Sequence, residues 1–131
     1  MAATALIIDD DPVTIALLRR HLIHRGWEVM TAENGTIGLN IALREKPDLL
    51  ITDMLLPGTH GVEICRRVRS HPELRDTRVL MMSGVYLKAT DLAGDLECER
   101  DGFLIKPLDP ARLDRTLADL SLTGWTLPIS S

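Results

Sequence analysis

Short continuous apolar runs alternate along the chain with segments whose apolar residues recur at helical spacing. Ala5-Leu6-Ile7-Ile8, Leu49-Leu50-Ile51-Thr52, the stretch from Val79 to Ser83 and Phe103-Leu104-Ile105 read as strands. Such unbroken apolar character suits strands covered on both faces. Glu28 to Thr31 reads as a further strand. Pro12 opens a helix, because its fixed φ suits a first turn and its missing N–H is not needed there. Ile15, Leu18 and Leu22 recur along that helix until Gly26 ends it. Asn34-Gly35 opens a second helix that stops before Pro47, and a third is expected near Gly61 to Ser70. A fourth is expected from about Leu87 to Leu96. Asp109-Pro110 starts a last one, with Leu113, Leu117 and Leu120 on one face. Five successive β-α units predict an α/β fold, a doubly wound five-stranded parallel sheet with five helices and right-handed crossovers.

In such a sheet the functional crevice lies outside the carboxyl ends of the strands. The residues predicted there are Asp9-Asp10-Asp11, Asp53, Ser83 and Lys106. Clustered carboxylates cannot all ionise cheaply, since like charges disfavour the charged form. A divalent cation relieves this, and an oxygen-only donor set with room for water and phosphate suits Mg²⁺. An aspartate carboxylate can attack phosphorus and form an acyl phosphate. That transfer needs in-line positioning and charge neutralisation. Mg²⁺, the Lys106 ammonium and the Ser83 hydroxyl can supply the neutralisation. Taken singly, each residue has a plainer reading as a helix cap, a surface lysine or the start of a turn. Their joint occurrence, in this order and at these strand ends, is what points to chemistry.

Composition narrows the class. At 131 residues, 45% hydrophobic and 26% charged, the chain suits one domain with its own core. No apolar run approaches a membrane span, and no basic stretch precedes the first strand, so neither a membrane segment nor a signal peptide is expected. The net charge of −4 argues against a dedicated nucleic-acid binder. Arg19-Arg20 and Arg66-Arg67-Val68-Arg69 are read as solvated helix faces. Cys65 and Cys98 form no C-x-x-C motif and do not look like a disulfide framework, so a reducing cytoplasm is expected.

The motifs together resemble the receiver domain of bacterial two-component response regulators, over about Thr4 to Leu122. Leu6-Ile7-Ile8-Asp9-Asp10-Asp11-Pro12 looks like the family's opening acidic motif. Asp53-Met54-Leu55-Leu56-Pro57-Gly58, followed by Gly61, looks like its phosphorylation loop. Ser83-Gly84 and Phe103-Leu104-Ile105-Lys106-Pro107 resemble its later motifs. The resemblance implies a flavodoxin-like sheet of strand order 2-1-3-4-5, with residues 1–122 as the receiver domain and 123–131 as a tail or the start of a linker. It implies that Asp53 is the phosphoacceptor and that Asp9, Asp10, Asp53 and the Leu55 backbone carbonyl hold Mg²⁺. Ser83 and Lys106 would contact the phosphoryl group, and Ser83 and Phe103 would act as switch residues. Val13, Thr14 and Leu17 would dock the phosphodonor, a histidine kinase or phosphotransfer protein. The face made by the fourth helix, fifth strand and fifth helix would then change its preference for a downstream protein, an output domain or a second copy. No direct contact with nucleic acid or membrane is implied, and the chain would be a signalling phosphoacceptor rather than an enzyme.

Some positions depart from the family pattern. Ser83 to Phe103 is about one residue longer than usual, Glu99-Arg100 replaces a small pair, and Gly94 weakens the expected fourth helix by ~1 kcal/mol relative to Ala. Leu55 and Val85 are aliphatic and cannot orient an attacking water, so slow autodephosphorylation is expected. His21 and His24 are spaced i, i+3 without a third ligand in view, and surface histidines are expected there. Two rivals are weighed. Asp9-x-Asp11-x-Val13 also resembles the nucleophile motif of haloacid-dehalogenase-like phosphatases, with Asp11 as general acid. A receiver-like module that signals without phosphorylation is the other.

Overall fold

The computed structural model of the protein describes residues 3–56, 60–84 and 102–121. Five strands form one parallel sheet in the order β2-β1-β3-β4-β5. They are β1 (Thr4–Ile8), β2 (Glu28–Ala32), β3 (Leu49–Asp53), β4 (Arg78–Ser83) and β5 (Gly102–Ile105). The described helices are α1 (Pro12–Ile23), α2 (Gly35–Glu45), α3 (Gly61–Ser70) and α4 (Pro110–Ser121), with a short 3₁₀ turn at Pro72–Leu74. The helix expected from Leu87 to Leu96 lies outside the described residues, as do Val85, Gly94, Glu99-Arg100 and the tail.

The strand patterns follow from position in the sheet. Every residue of β3 is buried, as is nearly every one of β1 and β4, because these central strands are covered on both faces. The edge strands β2 and β5 keep exposed positions. Alternate side chains enter two separate cores. Leu6, Ile8, Leu50, Val79 and Met81 pack with Leu39, Ala42, Ile64 and Val68 of α2 and α3. Ala5, Ile7, Leu49, Ile51, Leu80 and Met82 pack with Leu18 and Leu22 of α1 and Leu113, Leu117 and Leu120 of α4. The apolar stripe predicted for the last helix is thus the buried one.

The helix starts expected at polar residues are capped. Asp11 accepts the Val13 N–H at 3.1 Å with Pro12 in the first turn, and Asn34 accepts the Ile37 N–H at 2.9 Å. Asp109 accepts the Ala111 N–H at 3.0 Å. Beyond α1, Gly26 takes a φ of 88°, a left-handed conformation that glycine adopts without penalty. Cys65 is fully buried in α3 and is disulfide-bonded, against the expectation that neither cysteine belongs to a disulfide; Cys98 lies outside the described residues. Among the described residues no helix is long and apolar enough to cross a membrane.

Candidate functional site

Each of the three inner features of the site is the end of a buried strand. β1 delivers Asp9, which is fully buried, with Asp10 exposed beside it. β3 ends at Asp53 and β4 at Ser83, both buried. Pairing of β4 with β5 runs on into the backbone bond from Lys106 N–H to the Ser83 carbonyl at 2.8 Å, which sets the lysine at the same edge. The Lys106-Pro107 peptide is cis.

The side chains converge. Ligand oxygens of Asp9, Asp10 and Asp53 all lie within 4.8 Å of one another. The Lys106 ammonium stands 2.7 Å from Asp9 Oδ2 and 2.9 Å from Asp53 Oδ2, so it bridges the two inner carboxylates. The outer oxygens are held by backbone donors: Asp9 Oδ1 accepts the Asp11 N–H at 3.0 Å, and Asp53 Oδ1 accepts the Leu55 N–H at 3.1 Å. Burial pushes the Asp9 carboxyl above the ordinary carboxylate range, and its hydrogen bonds with Lys106 and Asp11 offset that only in part. Burial alone would depress the Lys106 pKa, but its bonds to Asp9 and Asp53 outweigh burial and raise it. The ammonium therefore stays charged.

One cation among three carboxylates leaves negative charge in a largely desolvated pocket. The donors are all oxygen, and an exposed Asp10 leaves the pocket open on one side. This set fits a hard divalent ion such as Mg²⁺. Asp11 is not part of the cluster. Its carboxylate accepts the Thr14 hydroxyl at 2.7 Å and the Val13 N–H, which hold it below the usual carboxylate range. The general-acid role that the phosphatase rival gives to Asp11 is therefore unsupported by its geometry.

The other predicted residues are distributed as follows. Leu55 projects into solvent, 58% exposed, just after β3. Phe103 is half-buried against the α2–α3 core. Of the three α1 residues, Val13 and Leu17 are exposed, at 69% and 40%, whereas Thr14 is buried and bonded to Asp11. Val13 and Leu17 line a hollow of about 330 Å³ that reaches Lys106 and Gly84.

Two packing contacts go beyond the sequence reading, which places Gly61 in the loop motif without its crowding and His21 on the surface. A Cβ at Gly61 would collide with the Asp53 carbonyl oxygen and stand 3.0 Å from Met54 Cα, so the start of α3 lies directly against the end of β3. The signal was a glycine at a helix start, where many residues are normally tolerated. His21, expected on the surface, has only 9% of its side chain exposed, and its Nε2 lies 2.8 Å from Asp114 Oδ1. Arg25 joins the same carboxylate through Nε at 2.7 Å and Nη2 at 2.7 Å, clamping α1 to α4. Asp114 is distant in sequence, and no local pattern announces the pair.

Comparison with known proteins agrees with this geometry. Residues 5–118 match the family model described as the response regulator receiver domain. The chain is 32% identical over 129 residues to the response regulator PleD of Caulobacter vibrioides, covering 98% of this chain but 28% of that protein. It is 31% identical to the protein PilH of Pseudomonas aeruginosa, covering 88% of this chain and 94% of PilH. Its fold matches the chemotaxis response regulator CheY4 of Vibrio cholerae with a TM-score of 0.80 at 28% identity, covering 90% of this chain and 98% of that one.

Proposed function

This chain belongs to the response regulator receiver domain family, and on that premise we propose that Asp53 is its phosphoacceptor and that phosphorylation there switches a protein-interaction face. The observation that carries the reading is Lys106, which reaches Asp9 and Asp53 together at the ends of separate strands. A carboxylate so placed is anchored and has a cation beside it, where the charge of an incoming phosphoryl group needs neutralising.

The step is a displacement. A carboxylate oxygen of Asp53 attacks phosphorus, and a new O–P bond forms. The bond from phosphorus to the donor's leaving atom breaks, and that atom takes the electron pair and then a proton. With a phosphorylated histidine as donor, the leaving atom is an imidazole nitrogen. Mg²⁺, held by Asp9, Asp10, Asp53 and the Leu55 backbone carbonyl, would supply charge neutralisation on the phosphoryl oxygens. Lys106 neutralises a further oxygen once its bond to Asp53 is exchanged for one to the phosphoryl group. The Ser83 hydroxyl hydrogen-bonds another, and movement of Ser83 biases Phe103. New phosphate contacts thereby shift the population of the face that includes β5 and α4.

Val13 and Leu17 dock the donor, a histidine kinase or phosphotransfer protein, with Thr14 shaping that surface from beneath through its bond to Asp11. The downstream partner is a protein or an output domain, with a phosphorylation-dependent homodimer among the outcomes, and neither nucleic acid nor membrane is contacted directly. We place the chain in the cytoplasm and regard it as a phosphoacceptor rather than an enzyme.

The test is whether the phosphoryl group stays on the protein. Incubation with Mg²⁺ and a small phosphodonor should leave it covalently held at Asp53. Turnover of a phosphomonoester with released phosphate would favour a phosphatase using Asp9, and no chemistry at all would favour a phosphorylation-independent module.

A further inference from the structure

The turn from β1 into α1 holds two linked sets of side-chain bonds. Asp9 Oδ1 accepts the backbone N–H of Asp11 at 3.0 Å. Asp11 in turn caps α1. Its Oδ1 accepts the Val13 N–H at 3.1 Å, and its Oδ2 accepts the Thr14 hydroxyl at 2.7 Å. Both Asp11 oxygens are thereby engaged, and its carboxylate stays out of the cluster of Asp9, Asp10 and Asp53. Thr14 is buried and Asp11 is half-buried, so the anchor is the more enclosed of the two. The other oxygen of Asp9 faces the Lys106 ammonium at 2.7 Å. Among the described residues, the Asp11 N–H and Lys106 are thus the two contacts that orient the buried Asp9 carboxylate.

The residue type at position 14 decides where the Asp11 N–H goes. Thr14 is the third residue of α1, the place where a capping box carries Glu or Gln. Such a side chain reaches back and accepts the backbone N–H of the capping residue, here Asp11. That N–H is needed by Asp9, whose carboxylate is buried. Threonine donates to the capping carboxylate instead, and so closes the helix start without drawing the Asp11 N–H away. Resting on the receiver reading above, we propose that Thr14 is a positioning residue for the divalent-cation site. Its hydroxyl fixes Asp11, and the Asp11 backbone fixes the carboxylate of Asp9. Groups that hold a metal ligand in place typically change metal affinity by about 10–100-fold. Thr14 acts through one further bond, and its effect is correspondingly smaller.

The experiment titrates Mg²⁺ alone into the 131-residue chain and its variants at neutral pH, with binding read from backbone amide NMR shifts of proteins whose spectra show them folded. Thr14→Val and Thr14→Ala should each weaken Mg²⁺ binding by about three- to tenfold. Thr14→Ser keeps the hydroxyl and should stay within about twofold of the unmodified chain. Asp11→Ala should also weaken binding, and adding Thr14→Val to it should change the affinity by less than about twofold, because the hydroxyl then has nothing to anchor. A threonine that serves only helix capping predicts a lower melting temperature with unchanged Mg²⁺ affinity, and that result overturns the proposal. So does a loss in Thr14→Ser as large as in Thr14→Val, or losses that add in the double variant. If the unmodified chain binds Mg²⁺ and the variants match it, the proposal fails while the receiver reading stands. If the unmodified chain binds no Mg²⁺, both fail together.

Discussion

The ammonium of Lys106 lies 2.7 Å from the fully buried carboxylate of Asp9. With the 2.9 Å contact to Asp53 it is the cation that makes an acidic strand-end cluster affordable in the folded chain. Removing it leaves two inner carboxylates facing each other in a desolvated pocket. Lys106→Ala should therefore cost about 2 kcal/mol of stability, less than a fully buried pair because the lysine keeps some solvent contact. Millimolar Mg²⁺ should recover part of that loss, since an ion bound only by the folded state stabilises it by mass action. Thermal melts of both proteins with and without Mg²⁺ measure this; an unchanged melting temperature in the variant would contradict it.

The clamp between α1 and α4 predicts a pH dependence. Burial pushes the Asp114 carboxyl up, but hydrogen bonds from His21 and Arg25, with their charges, overcome this and hold it below its ordinary value of 3.8. A carboxyl depressed by folding contributes stability that is fully present above its unfolded pKa and is lost as pH falls through its lower folded value. The Asp114 side chain is 39% exposed, so solvent screening limits the effect to about 1 kcal/mol or less. Asp114→Asn should be less stable than the native chain at neutral pH, and the gap should close as the pH is taken below 3.8. Denaturant melts across that range decide it, and a gap that persists in acid would sink the assignment.

Two glycines near the site should respond oppositely to alanine. At Gly61 the added methyl meets the Asp53 carbonyl and the Met54 backbone, neither of which is a flexible side-chain end. Gly61→Ala should cost about 1–3 kcal/mol through overpacking and slow phosphoryl uptake by shifting the acceptor loop. At Gly84 the nearest atom among the described residues is Lys106 Cδ at 3.8 Å, an ordinary contact. Gly84→Ala should stay within about 0.5 kcal/mol of the native chain. Equal losses in the two variants would refute this account of the loop.

Leu55 sits exposed two residues after Asp53, the proposed acceptor, with no side-chain group that can position water. Once formed, the phosphorylated state should persist for minutes or longer without a partner. Leu55→Asn, which introduces a hydrogen-bonding amide there, should shorten it. The decay is followed after removing the donor, and a lifetime of seconds in the unchanged protein would contradict the expectation.

The sequence made the site legible because each member closes an apolar run. Burial of Ile7-Ile8, Ile51-Thr52 and Met81-Met82 fixes where the strands stop, and the next polar residues land together by topology alone. The strand order 2-1-3-4-5 and the paired strands agree with that reading. What stayed hidden depends on packing between distant segments. Thr14 falls i−4 from Leu18, beside the core face, but only the folded chain shows that it is buried with its hydroxyl turned to Asp11. His21 looks solvent-exposed until α4 brings Asp114 against it. The crowding at Gly61 follows from how closely α3 approaches the end of β3, a distance that no residue pattern encodes.

Intact mass of the protein after incubation with Mg²⁺ and a small phosphodonor, beside Asp53→Ala, tests the central claim most directly. The account predicts one added phosphoryl group, stable in acid, released by hydroxylamine and absent from the variant. An unchanged mass under donor excess with the chain folded, or an adduct that survives in Asp53→Ala, would contradict it.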